Sequence, residues 1–560
     1  MDEESRKELH RRLETLRSEM KSGKVHFAEH LVEGMSASLS NVRLAKNGLV
    51  DPTTVDPRVR ALATAVTGMK DRQEWKELVS LPKIQELYFE RVEATFGDLY
   101  ASMYRPAKEK QPELSPGQFS GWFVSFDENV RQNRSYIGEF IEEIKEFWRN
   151  VLEPVWIHCE DLDSSKAIFG GALFPNARRN LASTAGLYVD TIILPCPFIK
   201  ISRIFEHWDV KQQISEVIRY GLQVLEYKEL ALAEIEPPLV IILPDKHGLV
   251  ADYEEFIAHC GRKDALSHAG AVFGRPFETM EEVMEYSKQF ETPEELSQAL
   301  AAPERLLFDA ECTDEPLEEQ IRNFLNEDAA VLGLDLSRLV YGQSFMRMNQ
   351  ANDVLSRSRD LRGTPIIDAE TSWRYFSWKL EYDALPAIAE DPTPLHIMRG
   401  LQAATEGEMM WLGKVPPAAL IEMRRQGAAG EIRSLLSQGI TELVNASPDD
   451  FIKTSDKVVG NLRKAFRDHQ ENVKKLTKKK WSFAGRDISK WLVFGTLEVA
   501  SAVSTYEAFG LPVLGLASWA GNQVTDVPKL KDIKEKAKAL HEEGKALRRS
   551  PVGLLFKYKT

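Results

Sequence analysis

Cysteine is nearly absent from this chain. The four that occur, Cys159, Cys196, Cys260 and Cys312, lie far apart and form no C-x-x-C pair. That argues against a disulfide framework or a zinc ribbon and points to a reducing compartment. The G-x-x-x-x-G-K-[ST] phosphate loop, the zinc-protease H-E-x-x-H, the nucleophile elbow G-x-S-x-G, the dinucleotide fingerprint G-x-G-x-x-G and the kinase motif set are also missing. Each absence removes a familiar enzyme class, though not enzymes as such. No internal repeat recurs at a solenoid period. The charged N-terminus, MDEESRKELHRRLETL, has no apolar core of the secretory type, so the expected location is cytoplasmic, with peripheral membrane association as an option.

What is present is an acidic, globular composition. The 560 residues carry a formal net charge of −13, with 43% hydrophobic and 28% charged residues. Those proportions fit a folded chain of about three to four domains. The acidic balance argues against a surface that binds nucleic acid throughout, leaving only a local basic patch for that role.

Hydrophobic spacing predicts a mostly α chain with a central α/β region. Residues 1–150 read as a helical N-terminal domain. SYIGEFIEEIKEFWRNVLEPVW places Tyr136, Ile137, Phe140, Ile141, Ile144, Phe147, Trp148 and Val151 on one face, with Pro154 near the expected end. IQELYFERVEATFGDLYASMY predicts an earlier helix, and RPAKEKQPELSPGQ a loop. Residues 151–375 read as the α/β region: VDTIILP, a long amphipathic stretch, then PLVIILPD form the pattern of a βαβ unit. PVWIHC, RLLFDA and TPIIDA are further strand candidates. Helical periodicity returns over 376–490, ending in a lysine-rich helix. SPDDF is its start signal, with Ser447 as N-cap and Pro448 at the first position. Residues 491–560 comprise an apolar hairpin and a charged helix.

The apolar stretch Lys490–Gly521 is the least polar part of the chain. A bilayer-spanning helix needs roughly 20 apolar residues. Trp491–Phe509 has that length but contains Glu498 and Glu507, and Gly510-Leu511-Pro512 breaks it. A carboxylate at the bilayer centre costs a few kcal/mol, so a constitutive span is disfavoured. Two readings remain: a hairpin buried as core, and a latent hairpin released onto a membrane or partner. Lys474, Lys475, Lys478, Lys479 and Lys480 flank it. With Trp491, Phe494, Phe509 and Trp519 they are the candidate contacts to an anionic membrane surface or a protein partner. The functional expectation is a binding or effector protein acting through such contact, including a membrane-active effector of toxin-like or defence type.

One alternative is a metal-dependent hydrolase, for instance a nuclease. In open α/β sheets, sites gather beyond the carboxyl ends of strands. Asp245, Asp309 and Asp368 follow candidate strands and would hold Mg²⁺ or Mn²⁺, with His247 as acid or base. Acidic residues there also commonly cap the next helix. His259 and Cys260 could suggest nucleophilic catalysis, but they are adjacent and point apart, so a packed cysteine beside an exposed histidine is the expected arrangement. The aromatics of TSWRYFSWKLEYD and the methionines of EGEMMWLG suit packing or contact surfaces. The other alternative is a structural subunit that buries the hairpin against another chain.

Overall fold

The computed structural model describes residues 3–26, 29–177, 180–246, 249–308, 315–327, 335–383, 392–406, 409–427, 429–447, 450–478, 482–483, 486–487 and 552. The hairpin 491–521, Lys479, Lys480, Asp309 and His247 lie outside them. The chain is mostly helical with a small parallel sheet, as its periodicity predicts. It divides into two units, Met1–Glu90 with Lys145–Leu162, and Arg91–Ile144 with Asp163 onward.

In the first unit, Leu9, Leu13 and Leu16 of helix Glu3–Lys21 bury against Val59, Ala63 and Val66 of helix Pro57–Leu78. The i, i+3/i+4, i+7 spacing of both sets puts each on one helical face. Tyr88 packs against Trp148 with ring centroids 5.0 Å apart. The stretch PVWIHC is helix rather than strand. Helix Asp127–Asp161 runs through Pro154 without ending. Val155 and Trp156 are buried there, so burial outweighs the lost hydrogen bond and the pattern of a short apolar run. His158 Nε2–H donates to the Val79 carbonyl at 2.9 Å, and Arg72 pairs with both Glu160 and Asp161.

The second unit holds the sheet. Strands β1 (Lys166–Phe169), β2 (Thr191–Pro195), β3 (Val240–Leu243) and β4 (Thr364–Ile366) are all parallel, in the order β3-β2-β1-β4. Their residues are almost wholly buried, as a parallel sheet covered on both faces requires. Helix Val210–Leu225 connects β2 to β3 and completes the expected βαβ unit. β4 falls on TPIIDA. RLLFDA forms no strand among the described residues: Pro303–Arg305 is a 3₁₀ turn, and Leu306 and Phe308 enter the helical core.

The segment RPAKEKQPELSPGQ is only partly loop. Helix Leu81–Leu99 passes into a π-helical turn, Tyr100–Tyr104, then helix Arg105–Lys110. The long helical stretch after Pro416 is three helices, Pro417–Arg425, Ala429–Ser437 and Ile440–Ala446. Gly427 and Gly439 separate them at φ 69° and 70°, a conformation that favours glycine. Helix Phe451–Lys478 follows and carries Lys474, Lys475 and Lys478. Its first turn is held by Asp450, whose carboxylate accepts from Lys453 N at 2.9 Å, so the cap falls three residues beyond Ser447. Among the described residues no helix is long and apolar enough to cross a membrane.

Asp190, just before β2, fastens two of these helices to the sheet. Its carboxylate pairs with Arg424 and takes two bonds from Arg433, at 2.7 and 2.8 Å. Ser165 Oγ adds a third donor at 2.7 Å. Burial raises the Asp190 pKa, but Arg433, Arg424 and Ser165 outweigh it and hold the carboxyl well below the usual carboxylate range. A depressed folded pKa gives stability that is present above the unfolded value of about 3.9 and is lost as pH falls through the folded value. Asp190→Asn should therefore be clearly less stable than wild type at neutral pH, and the gap should close in strong acid. Urea unfolding across a pH series checks this; a gap that does not change with pH contradicts it.

Candidate functional site

Four parallel strands send their carboxyl ends to one edge, and that edge is where a doubly wound sheet offers a ligand crevice. Asp245 lies there, 3% exposed. Arg357 Nη1 approaches its carboxylate at 2.8 Å and Lys200 Nζ at 3.4 Å. Arg357, from helix Leu336–Asp360, also pairs with Asp353 at 3.4 Å and donates to the Phe169 carbonyl at 3.1 Å. Tyr253 OH donates to Asp353 Oδ1 at 3.3 Å, and Lys200 to the Ala172 carbonyl at 3.1 Å. Burial lowers the Arg357 pKa, but Asp245 and Asp353 outweigh it and the net shift is upward. Two carboxylates face two cations in this cluster, so the buried charge cancels locally.

The strand order reverses between β1 and β4, and the loops that leave these two strands are bonded to each other. Gly170 N donates to the Ile366 carbonyl at 3.0 Å, Ser372 Oγ to the Gly171 carbonyl at 2.6 Å, and Asn176 N to Asp368 Oδ2 at 2.7 Å. Asp245 and Asp368 thus both leave strands at the expected edge, and each is engaged by the protein's own donors. Among the described residues no group of three His, Cys, Asp or Glu side chains is placed to hold a metal. The cation expectation also named Asp309 and His247, which lie outside those residues.

Elsewhere, Cys260 is half-buried beside an exposed His259, and the aromatic cluster packs. His259 and Cys260 are neighbours on helix Ala251–Phe273. Trp373, Tyr375 and Phe376 are buried on helix Glu370–Tyr382. His268, unremarked by its sequence context, sits among Tyr375, Trp378 and Tyr382. Its Nδ1 lies 2.8 Å from Tyr382 OH and its Nε2 2.9 Å from the Arg305 carbonyl. A carbonyl only accepts, so Nε2 carries the hydrogen and Nδ1 accepts from the tyrosine. Burial pushes this histidine down to about 4, which keeps it neutral near pH 7.

A large cleft lies elsewhere in the second unit, with a volume of about 1310 Å³. The π turn, helix Arg105–Lys110 and the Pro112–Ser115 segment supply one part of its lining. Leu225–Glu234 supplies another, and Gly413–Glu422 with Arg425 a third. Tyr100 and Tyr104 lie side by side, 5.9 Å between centroids. Glu226 accepts from Tyr104 OH at 3.0 Å and pairs with Lys108, whose ammonium is 5.5 Å from the Tyr104 ring centroid. Burial, then Glu226, pushes both tyrosines above their ordinary pKa. Lys228 pairs with Glu93 at 2.6 Å. The Gly413–Glu422 wall is fixed by Ser183 Oγ donating to the Val415 carbonyl at 2.7 Å, and by the Asp190–Arg424 pair beyond it.

Sequence reasoning did not find this cleft. The one local trace is Tyr100, Tyr104 and Lys108 at four-residue spacing, and their partner Glu226 is more than a hundred residues away. No protein-family model, no curated protein and no solved structure matches the chain.

Removing one partner from a buried charge cluster costs about 3–5 kcal/mol, because the remaining charge is left unpaired. Arg357→Met should lose stability on that scale. The double variant Arg357→Met with Asp245→Asn should recover part of the loss. Chemical denaturation of the two single variants and the double tests this; a double loss equal to the sum of the single losses would mean the two side chains are uncoupled.

Proposed function

We propose that this chain is a binding protein of the effector type, acting through contact with a partner or membrane surface rather than through turnover of a substrate. The observation that carries the reading is the cleft. It is large, it is assembled from distant parts of the chain, and it is lined by charged side chains beside apolar ones such as Leu114, Val415 and Ile421. A cleft lined in this mixed way offers a partner both charged and apolar contacts. The carboxyl edge of the sheet supports the same reading. Its Asp245 is bound to Arg357 and Lys200, which leaves little negative charge there for the cation a hydrolase would need.

A second contact rests on the sequence. The apolar segment Trp491–Phe509, behind Lys474, Lys475, Lys478, Lys479 and Lys480, has the composition of an anionic-membrane or partner contact. Flotation with anionic liposomes separates the two uses. Full-length protein should float and a truncation ending before Trp491 should not. A truncation that floats equally well would remove this contact from the proposal.

The cleft is tested by thermal unfolding of the full chain with a panel of basic peptides, acidic peptides and nucleotides. A ligand bound only to the native state raises Tm with concentration. Ala418 is exposed and lines the cleft, so Ala418→Trp should obstruct it without disturbing the core. The expected result is a ligand-dependent rise in wild type that Ala418→Trp abolishes. Manganese-dependent phosphodiester cleavage, lost in a folded Asp245→Asn variant, would instead establish the hydrolase.

A further inference from the structure

The charges that line the cleft are unequally satisfied. Lys108 is paired with Glu226, Lys228 with Glu93, Arg105 with Glu109 at 3.5 Å and Lys414 with Glu113 at 3.8 Å. Only the Arg425 guanidinium has no carboxylate partner among the described residues. On the acidic side Glu229, Glu234 and Glu422 have no cationic partner there, and all three are exposed. The lining as a whole has six carboxylates and five cations, a net charge of −1, and its three unpaired carboxylates against one unpaired guanidinium favour positive charge in the opening. Tyr100 adds to this. It lies within the field of Glu226 and Glu229, with Arg105 acting in the opposite sense, and a tyrosine face attracts ammonium and guanidinium groups. The segment that carries Pro416, Pro417 and Ile421 supplies apolar surface for the stem behind such a head group.

Resting on the reading of the cleft as a binding site, we infer that its ligand is a basic peptide segment, with lysine or arginine side chains alternating with apolar ones. The volume, about 1310 Å³, exceeds the roughly 300–1,000 Å³ of ordinary small-molecule sites. A peptide uses both the apolar surface and the separated carboxylates; a compact organic cation uses only the second.

The test is fluorescence anisotropy on the full chain with a fluorescein-labelled peptide of Arg-Ala-Leu repeats and its Glu-Ala-Leu counterpart. The basic peptide should bind and the acidic one should not. Combined Glu229→Gln, Glu234→Gln and Glu422→Gln should weaken binding about tenfold, the sum expected for three exposed ion pairs. Neutralising the exposed Glu139, Glu255 and Glu281 makes the same change in net charge and should leave affinity nearly unchanged. Equal loss in both triple variants, or none in the first, overturns the inference; so does spermine binding as tightly as the peptide. If an acidic peptide or a nucleotide binds and Ala418→Trp abolishes it, the cleft stands as a site and its cationic assignment falls. If the basic peptide binds Ala418→Trp as well as wild type, both fall.

Discussion

A guanidinium cannot shed its charge inside a protein, so burying one dictates what surrounds it. Arg357 is 1% exposed, and the second unit supplies partners to both its Nη groups, while Nε has none among the described residues. Asp245 comes from the end of β3, the Phe169 carbonyl from the end of β1, and Asp353 from its own helix. One side chain thereby fixes two strand ends against the helix that leads to β4. This accounts for the use of the carboxyl edge. The polar groups that fold analogy would assign to a ligand are spent on the protein's own buried charge, and the bonds between the β1 and β4 loops occupy the place where strand order reverses.

The cleft owes its shape to a second arginine arrangement. Asp190 holds Arg424 and Arg433 at the start of β2, which fixes helix Pro417–Arg425 and with it the cleft's apolar segment. The two clusters differ in kind. The Arg357 cluster is buried and neutral in sum. The cleft keeps a surplus of carboxylate where solvent reaches it, so its charge remains available to something outside the chain.

The βαβ core was legible because β2 and β3 are uninterrupted β-branched runs flanking a strongly periodic helix. β1 was missed: Lys166–Phe169 is four residues long and begins with a lysine, too short to show a period. PVWIHC misled for the converse reason. Four apolar residues around a proline resemble a strand until the burial of Val155 and Trp156 is known. Asp245 and Asp368 were rightly placed after strands, but their partners Arg357, Lys200 and Asn176 are supplied by tertiary structure. The cleft was the least legible feature, since local spacing relates Tyr104 to Lys108 and carries no trace of Glu226.

The π turn at Tyr100–Tyr104 is in effect one surplus residue lodged in a helix. The wider turn absorbs that residue locally, so the helix on either side keeps a common phase. Deleting Ala101 would let the segment Leu81–Lys110 relax into unbroken α-helix, a locally easier conformation. Lys108 would keep nearly the same angle about the axis, because the wide turn already takes up the extra residue. The irregular turn works as local slack: it lodges one more residue beside the cleft while leaving Lys108 in phase to meet Glu226.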